Sequence, residues 1–168
     1  MPSPLGHALG GLAAGWLVAG RPTPLERTAL QQAIWFVSAG MAPDVDLLFG
    51  IHRGPSHSVV AACLVGLATY LVARRGRLAV AMAAAYASHP LLDWLGHDAS
   101  PPIGLMALWP FSHDYYESPA HFFHAISRRY GQPEFWPSNL RALLRELLVL
   151  GPIAAFVAFV RRVDRQYL

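Results

Sequence analysis

The chain has 168 residues, 54% of them hydrophobic and only 14% charged. Soluble domains carry roughly 25% charge, so an ordinary water-soluble domain is disfavoured and a membrane protein or a very apolar helical bundle is expected. The formal charge of +3 comes from arginine alone, and no basic block is dense enough for a nucleic-acid stripe, so nucleic acid is not expected as a partner.

The length suits a single domain, 1–168. Residues 1–20 are apolar but lack a basic n-region and contain His7, so they read as mature protein rather than a cleaved signal peptide. Apolar segments then run Leu5–Gly20, Ala29–Ala42, Ser58–Ala73, Leu78–Gly96 and, behind a polar lead-in Arg141–Glu146, Leu147–Val160. Their Ala, Leu and Val content and lack of breakers predict helices, giving an all-α, membrane-embedded bundle of about four to five apolar helices. A helix of about 16 residues spans about 24 Å against a hydrocarbon core of about 30 Å, so only Leu78–Gly96 is comfortably long enough. The others need flanking residues or a thinned bilayer, or are buried helices of a soluble bundle.

Cys63, the only cysteine, sits in an apolar run and is expected as a small buried thiol. An outer connecting segment, 113–140, follows the fourth helix, and Ser118-Pro119 predicts a surface-lying helix over Ala120–Tyr130. Alternate threading puts Arg21 and Arg27, then Arg74, Arg75 and Arg77, then Arg161, Arg162 and Arg165 on one side, which the positive-inside rule makes cytoplasmic. The opposite side receives His7, Asp44, Asp46, His52, His57, Asp93 and His97, with Trp94, Trp109, Tyr115, Tyr116, Phe135 and Trp136 as an aromatic belt.

In His89-x-x-x-Asp93-x-x-x-His97 each four-residue step turns a helix by about 40°, so the three side chains share one face and can hold one metal or share two. Pro90 kinks or restarts that helix. An ionisable residue in a membrane-length apolar run is by default functional; the alternative is interfacial polar residues and a capping Asp93. Asp44 and Asp46, two residues apart after Pro43, can bridge a cation, or form an ordinary Pro-Asp turn. His52 and His57 flank Arg53-Gly54-Pro55, and two neutral imidazoles held by such a loop suit zinc. Arg53 suits a phosphate or carboxylate of a substrate, or equally a partner among Asp44, Asp46 and lipid headgroups. Ser56 and Ser58 are expected to cap the next helix. His121 and His124 share a helix face but suit a surface-lying helix better. His7 alone is a weak signal.

Gly6-His7, Pro43-Asp44-Val45-Asp46, His52-Arg53-Gly54-x-x-His57-Ser58, Ser88-His89-x-x-x-Asp93 and Trp109-Pro110-Phe111, in that order, resemble the bacterial YdjM-like family over roughly residues 5 to 112. These are inner-membrane proteins described as metal-dependent hydrolases. The resemblance implies a multi-pass inner-membrane protein with His7, Asp44, Asp46, His52, His57, His89 and Asp93 as metal ligands. The pattern is also distantly similar to the helical zinc phospholipase C and nuclease group. Residues 113–168 match no pattern of the family, and His97 lies outside its motif.

The expected function is therefore metal-dependent hydrolysis of an ester, with a divalent ion, zinc first, activating water. Asp46 is the candidate general base and Arg53 the candidate anion-binding residue. Location at the outer membrane surface points to a membrane lipid or lipid-linked phosphoester. The alternative is a protein that binds or moves a metal without chemistry; it predicts ligands strung along a path, where the hydrolase predicts one cluster open to water.

Overall fold

The computed structural model describes residues 1–20, 28–50, 52–98 and 101–163. Arg21, Arg27 and Arg165 lie outside the described residues. These residues form five α-helices, α1 (Pro4–Ala19), α2 (Ala29–Met41), α3 (Val59–Ala73), α4 (Gly76–Trp94) and α5 (Phe135–Val163), with 3-10 turns at Ala42–Phe49 and Pro55–His57. Among the described residues there is no β-strand beyond two isolated bridges.

Local chemistry sets the helix starts. Ser3 caps α1 by accepting the Gly6 N–H at 3.2 Å, with Pro4 in the first turn, and Thr28 and Gln31 form a reciprocal capping box on α2. Ser58 caps α3 by accepting the Ala61 N–H, as expected. Ser56 does not cap; its hydroxyl donates to Asp46.

α1 packs against α4, α2 and α5, while α3 and α2 also lie on α4. The α1–α2 crossing is a backbone contact: a Cβ on Gly11 would sit 2.8 Å from Gly40 Cα, and one on Gly40 would sit 2.6 Å from the His7 carbonyl oxygen. Only glycine permits that approach. It sets His7 beside Gly40, close to the end of α2 from which Asp44 and Asp46 follow.

Among the described residues only α5 is long and apolar enough, over Phe135–Arg161, to cross a membrane, whereas α1 and α3 are apolar but shorter, at 16 and 15 residues. The expectation had given that length to Leu78–Gly96. The difference has two causes. The polar lead-in 141–146 continues without a break into the apolar run, making α5 29 residues long, while α4 carries Arg77, His89 and Asp93 among its alanines. Pro90 is accommodated inside α4, which does not restart there.

The surface helix expected over Ala120–Tyr130 is absent. Ser118 uses its hydroxyl to accept the Ala120 N–H, and the chain then runs irregularly, the carbonyls of Leu95 and Met1 accepting the N–H groups of Phe122 and Ile126 and the Phe123 carbonyl accepting that of His97. Phe123, 3% exposed, anchors the segment between Leu92 and Leu150. Cys63, expected buried, is exposed on α3.

Candidate metal centre

One end of the bundle gathers the start of α1, the turns that follow α2 and precede α3, and the end of α4. There the seven expected ligand residues come together in two abutting groups: Asp44, Asp46, His52 and His57, and His7, His89 and Asp93. Within each group one donor atom per residue lies within 4.8 Å of the others. His57 and Asp93, 3.4 Å apart, and His89 and Asp44, 3.5 Å apart, join the two groups.

Three of the four imidazoles are held by their Nδ1 atoms. His89 Nδ1 donates to the Gly40 carbonyl at 2.7 Å, His57 Nδ1 lies 3.2 Å from Asp46 Oδ2 and His52 Nδ1 lies 3.1 Å from Asp46 Oδ1. Pinning Nδ1 turns the Nε2 lone pair inward, the arrangement by which second-layer acceptors orient ligand histidines. His7 stacks on His89 with ring centroids 3.6 Å apart and presents Nε2 to Asp93 Oδ1 at 3.3 Å. His57 and His89 each place Nε2 3.4 Å from Asp93 Oδ2.

Eight buried side-chain atoms here have no hydrogen-bond partner among the described residues: two each on His7 and Asp93, and one each on Asp44, His52, His57 and His89. Leaving one such group unsatisfied costs about 1–3 kcal/mol, and a shared cation would relieve that cost. Donors placed tetrahedrally at about 2.0–2.1 Å from zinc lie about 3.3–3.4 Å apart, and Asp93 Oδ2 lies 3.4 Å from Nε2 of both His57 and His89, with Oδ1 3.3 Å from that of His7.

Outside the helices, burial would raise the carboxyls of Asp44 and Asp46, but hydrogen bonds with the histidines outweigh it. Asp44 is held well below the carboxylate range and Asp46 at about 2, the latter helped by Ser56. Burial lowers His52 despite Asp46. Burial acts the same way on His57, yet Asp44 and Asp46 overcome it and raise its pKa.

Asp46 departs from a simple ligand. Its Oδ2 accepts from the Ser56 hydroxyl at 2.7 Å and the Arg53 backbone N–H at 3.1 Å while meeting His57, so both of its oxygens orient the loop and the histidines. Arg53, assigned to an anionic substrate, has instead a buried guanidinium ion-paired with Asp98 and donating to the Gly104 carbonyl at 3.3 Å. Its left-handed backbone, φ 63°, is kept by Asp46 on its N–H and by the Met106 N–H on its carbonyl. Arg53 braces the His52–Ser58 loop.

His97 turns away from the centre, its Nδ1 2.8 Å from that of His121, near Glu117; His124 meets Arg145 at 3.3 Å. Sequence reasoning missed Asp98 as the partner of Arg53. It also missed Glu146, fully buried in the apolar α5, which accepts the Ser3 N–H at 2.7 Å and the Ser3 hydroxyl and so ties α5 to the start of α1. A glutamate within an apolar helix was the available signal.

Comparison with curated proteins and with solved structures finds no match to this chain. The family model described as YdjM inner membrane protein matches residues 1–164, reaching well into the tail that the motifs left unassigned. The chain belongs to the YdjM inner membrane protein family.

Proposed function

We infer that the chain is a multi-pass membrane hydrolase in which at least one divalent metal, zinc first, is held by His7, His57, His89 and Asp93 with Asp44 and His52 at the open edge. The observation that carries this reading is the gathering of seven ligand-type side chains in two abutting groups, with eight of their buried polar atoms unpartnered among the described residues. A metal bound there supplies Lewis acidity and lowers the pKa of its water from 15.7 to about 7. The chain's own residues do the rest. Asp46 and the Gly40 carbonyl fix the imidazole orientations, Arg53 with Asp98 braces the loop, and Asp44, with 26% side-chain exposure, faces incoming water and is the carboxylate placed to accept its proton.

Three features support embedding in a bilayer. Histidines, Asp93, Gln32 and Glu146 are buried while Leu17, Leu30, Leu67, Val72, Leu148, Phe156 and Phe159 are exposed, which inverts the pattern of a water-soluble bundle. The family is an inner-membrane one. Arg74, Arg75, Arg77 and Arg161 lie at the end opposite the histidines, so the centre faces the non-cytoplasmic side. A single cluster at one end favours hydrolysis over passage of the ion along a path. A lipid or lipid-linked ester is then the accessible substrate.

The test is a screen of phosphoesters, lipid esters and peptides with the purified chain. Turnover that is abolished by a chelator, restored by zinc and absent from His89→Ala/Asp93→Ala is expected. Turnover that persists in that variant would contradict the proposal.

A further inference from the structure

A cavity of about 790 Å³ opens against Asp44 and His52, the two most exposed of the seven ligand-type side chains at 26% and 17%. Its lining also includes Arg128, Arg129 and Arg141. These come from separate stretches and are brought together by a clamp: Asn139 of α5 accepts the Ser127 N–H at 2.7 Å and donates to the Ser127 carbonyl at 3.1 Å. The clamp fixes the segment bearing Arg128 and Arg129 beside the helix turn bearing Arg141.

None of the three arginines makes an ion pair among the described residues. The two carboxylates of the lining are committed, Asp98 to Arg53 and Asp44 to the histidines. All three are exposed at the cavity's edge, so solvent screens their mutual repulsion, and together they make the cleft positive and attractive to an anion. Phe135 and Ser138 put the first turn of α5 in the same lining, adding the positive end of a long helix.

We propose that this cleft seats a phosphate group, Arg128, Arg129 and Arg141 holding a phosphoester whose reacting phosphorus lies toward the Asp44–His52 edge. Arginine's planar fork pairs two N–H groups with two phosphate oxygens, and a neutral ester offers that wall nothing. The inference rests on the hydrolase reading above and names its substrate class. In the reaction, water oxygen forms the new P–O bond, the ester P–O bond breaks, and the water proton passes by way of Asp44 to the departing alkoxide.

The full chain in phosphatidylcholine nanodiscs is titrated with inorganic phosphate, alongside R128Q/R129Q/R141Q and R128K/R129K/R141K, with metal content measured on each. The expected result is affinity about tenfold or more weaker in the glutamine variant, partly recovered in the lysine variant, at unchanged metal content. Phosphate affinity that the glutamine variant leaves unchanged overturns the proposal. So does weakening in that variant that the lysines fail to recover while metal content falls with it. Nanodiscs containing phosphatidic acid identify the source: competition with inorganic phosphate marks a lipid headgroup, and its absence a soluble phosphoester, both through the same arginines. Arginine-dependent phosphate binding by a chain that holds no metal would uphold the anion site while removing the hydrolase reading.

Discussion

The two ends of the bundle are built from the same helices by opposite means. At the end bearing Arg77 and Arg161, Phe36, fully buried, packs with Ala19, Ala39, Leu78, Ala81 and Ala85, and Arg161 closes the layer over Trp16 and Gln32. Its polar groups are few and mostly paired. At the other end the interior is imidazole and carboxylate, and its polar atoms outnumber the partners the protein supplies. Packing stabilises the first end, whereas the second gathers side chains that could hold a cation. On the proposed reading, the stability of that end depends on what it binds.

Substitutions confined to one end sharpen that contrast. Phe36→Ala removes a buried ring beneath Gly15 and is expected to cost about 3–5 kcal/mol in unfolding free energy while metal content per folded chain stays constant; loss of the metal in that variant would show the ends to be coupled. Asp46→Asn removes the acceptor that orients His52 and His57, and metal affinity read by competition with a chelator should weaken about 10–100-fold with little change in fold. The smallest effect is the pH response of the metal-stripped protein. Despite burial, Asp46 is held below its ordinary value of 3.8, at about 2, by its hydrogen bonds with His57, Ser56 and His52, so its contribution is full above 3.8 and disappears as pH falls through about 2. His57, shifted upward, contributes below its ordinary 6.5 and loses that contribution as pH rises through the raised value. Denaturation curves of the parent and Asp46→Asn from pH 2 to pH 6 should converge at the acid end.

What the sequence made legible was what local spacing decides. One helical turn puts His89 and Asp93 on a face, a Gly-Pro loop sets His52 near His57, and the Pro-Asp turn follows directly from α2, whereas His7 joined the ligand set only through the resemblance to the YdjM-like family. Long-range pairs had no local signature: Arg53 with Asp98, Glu146 with Ser3 and His97 with His121 are made by tertiary packing alone. That is why Arg53 looked available to a substrate while the arginines lining the cleft, placed by the Asn139 clamp, passed without notice. The outer segment shows the same limit. Ser118-Pro119 is a sound helix start, but backbone bonds to residues near the end of α4 outcompeted the helix.

Elemental analysis of the purified chain, beside His89→Ala/Asp93→Ala, tests the central claim most directly. The account predicts at least one equivalent of a divalent metal in the parent and its loss in the variant, with helical content retained. A parent free of metal after purification and after incubation with zinc, or a variant that retains the full equivalent, would contradict it.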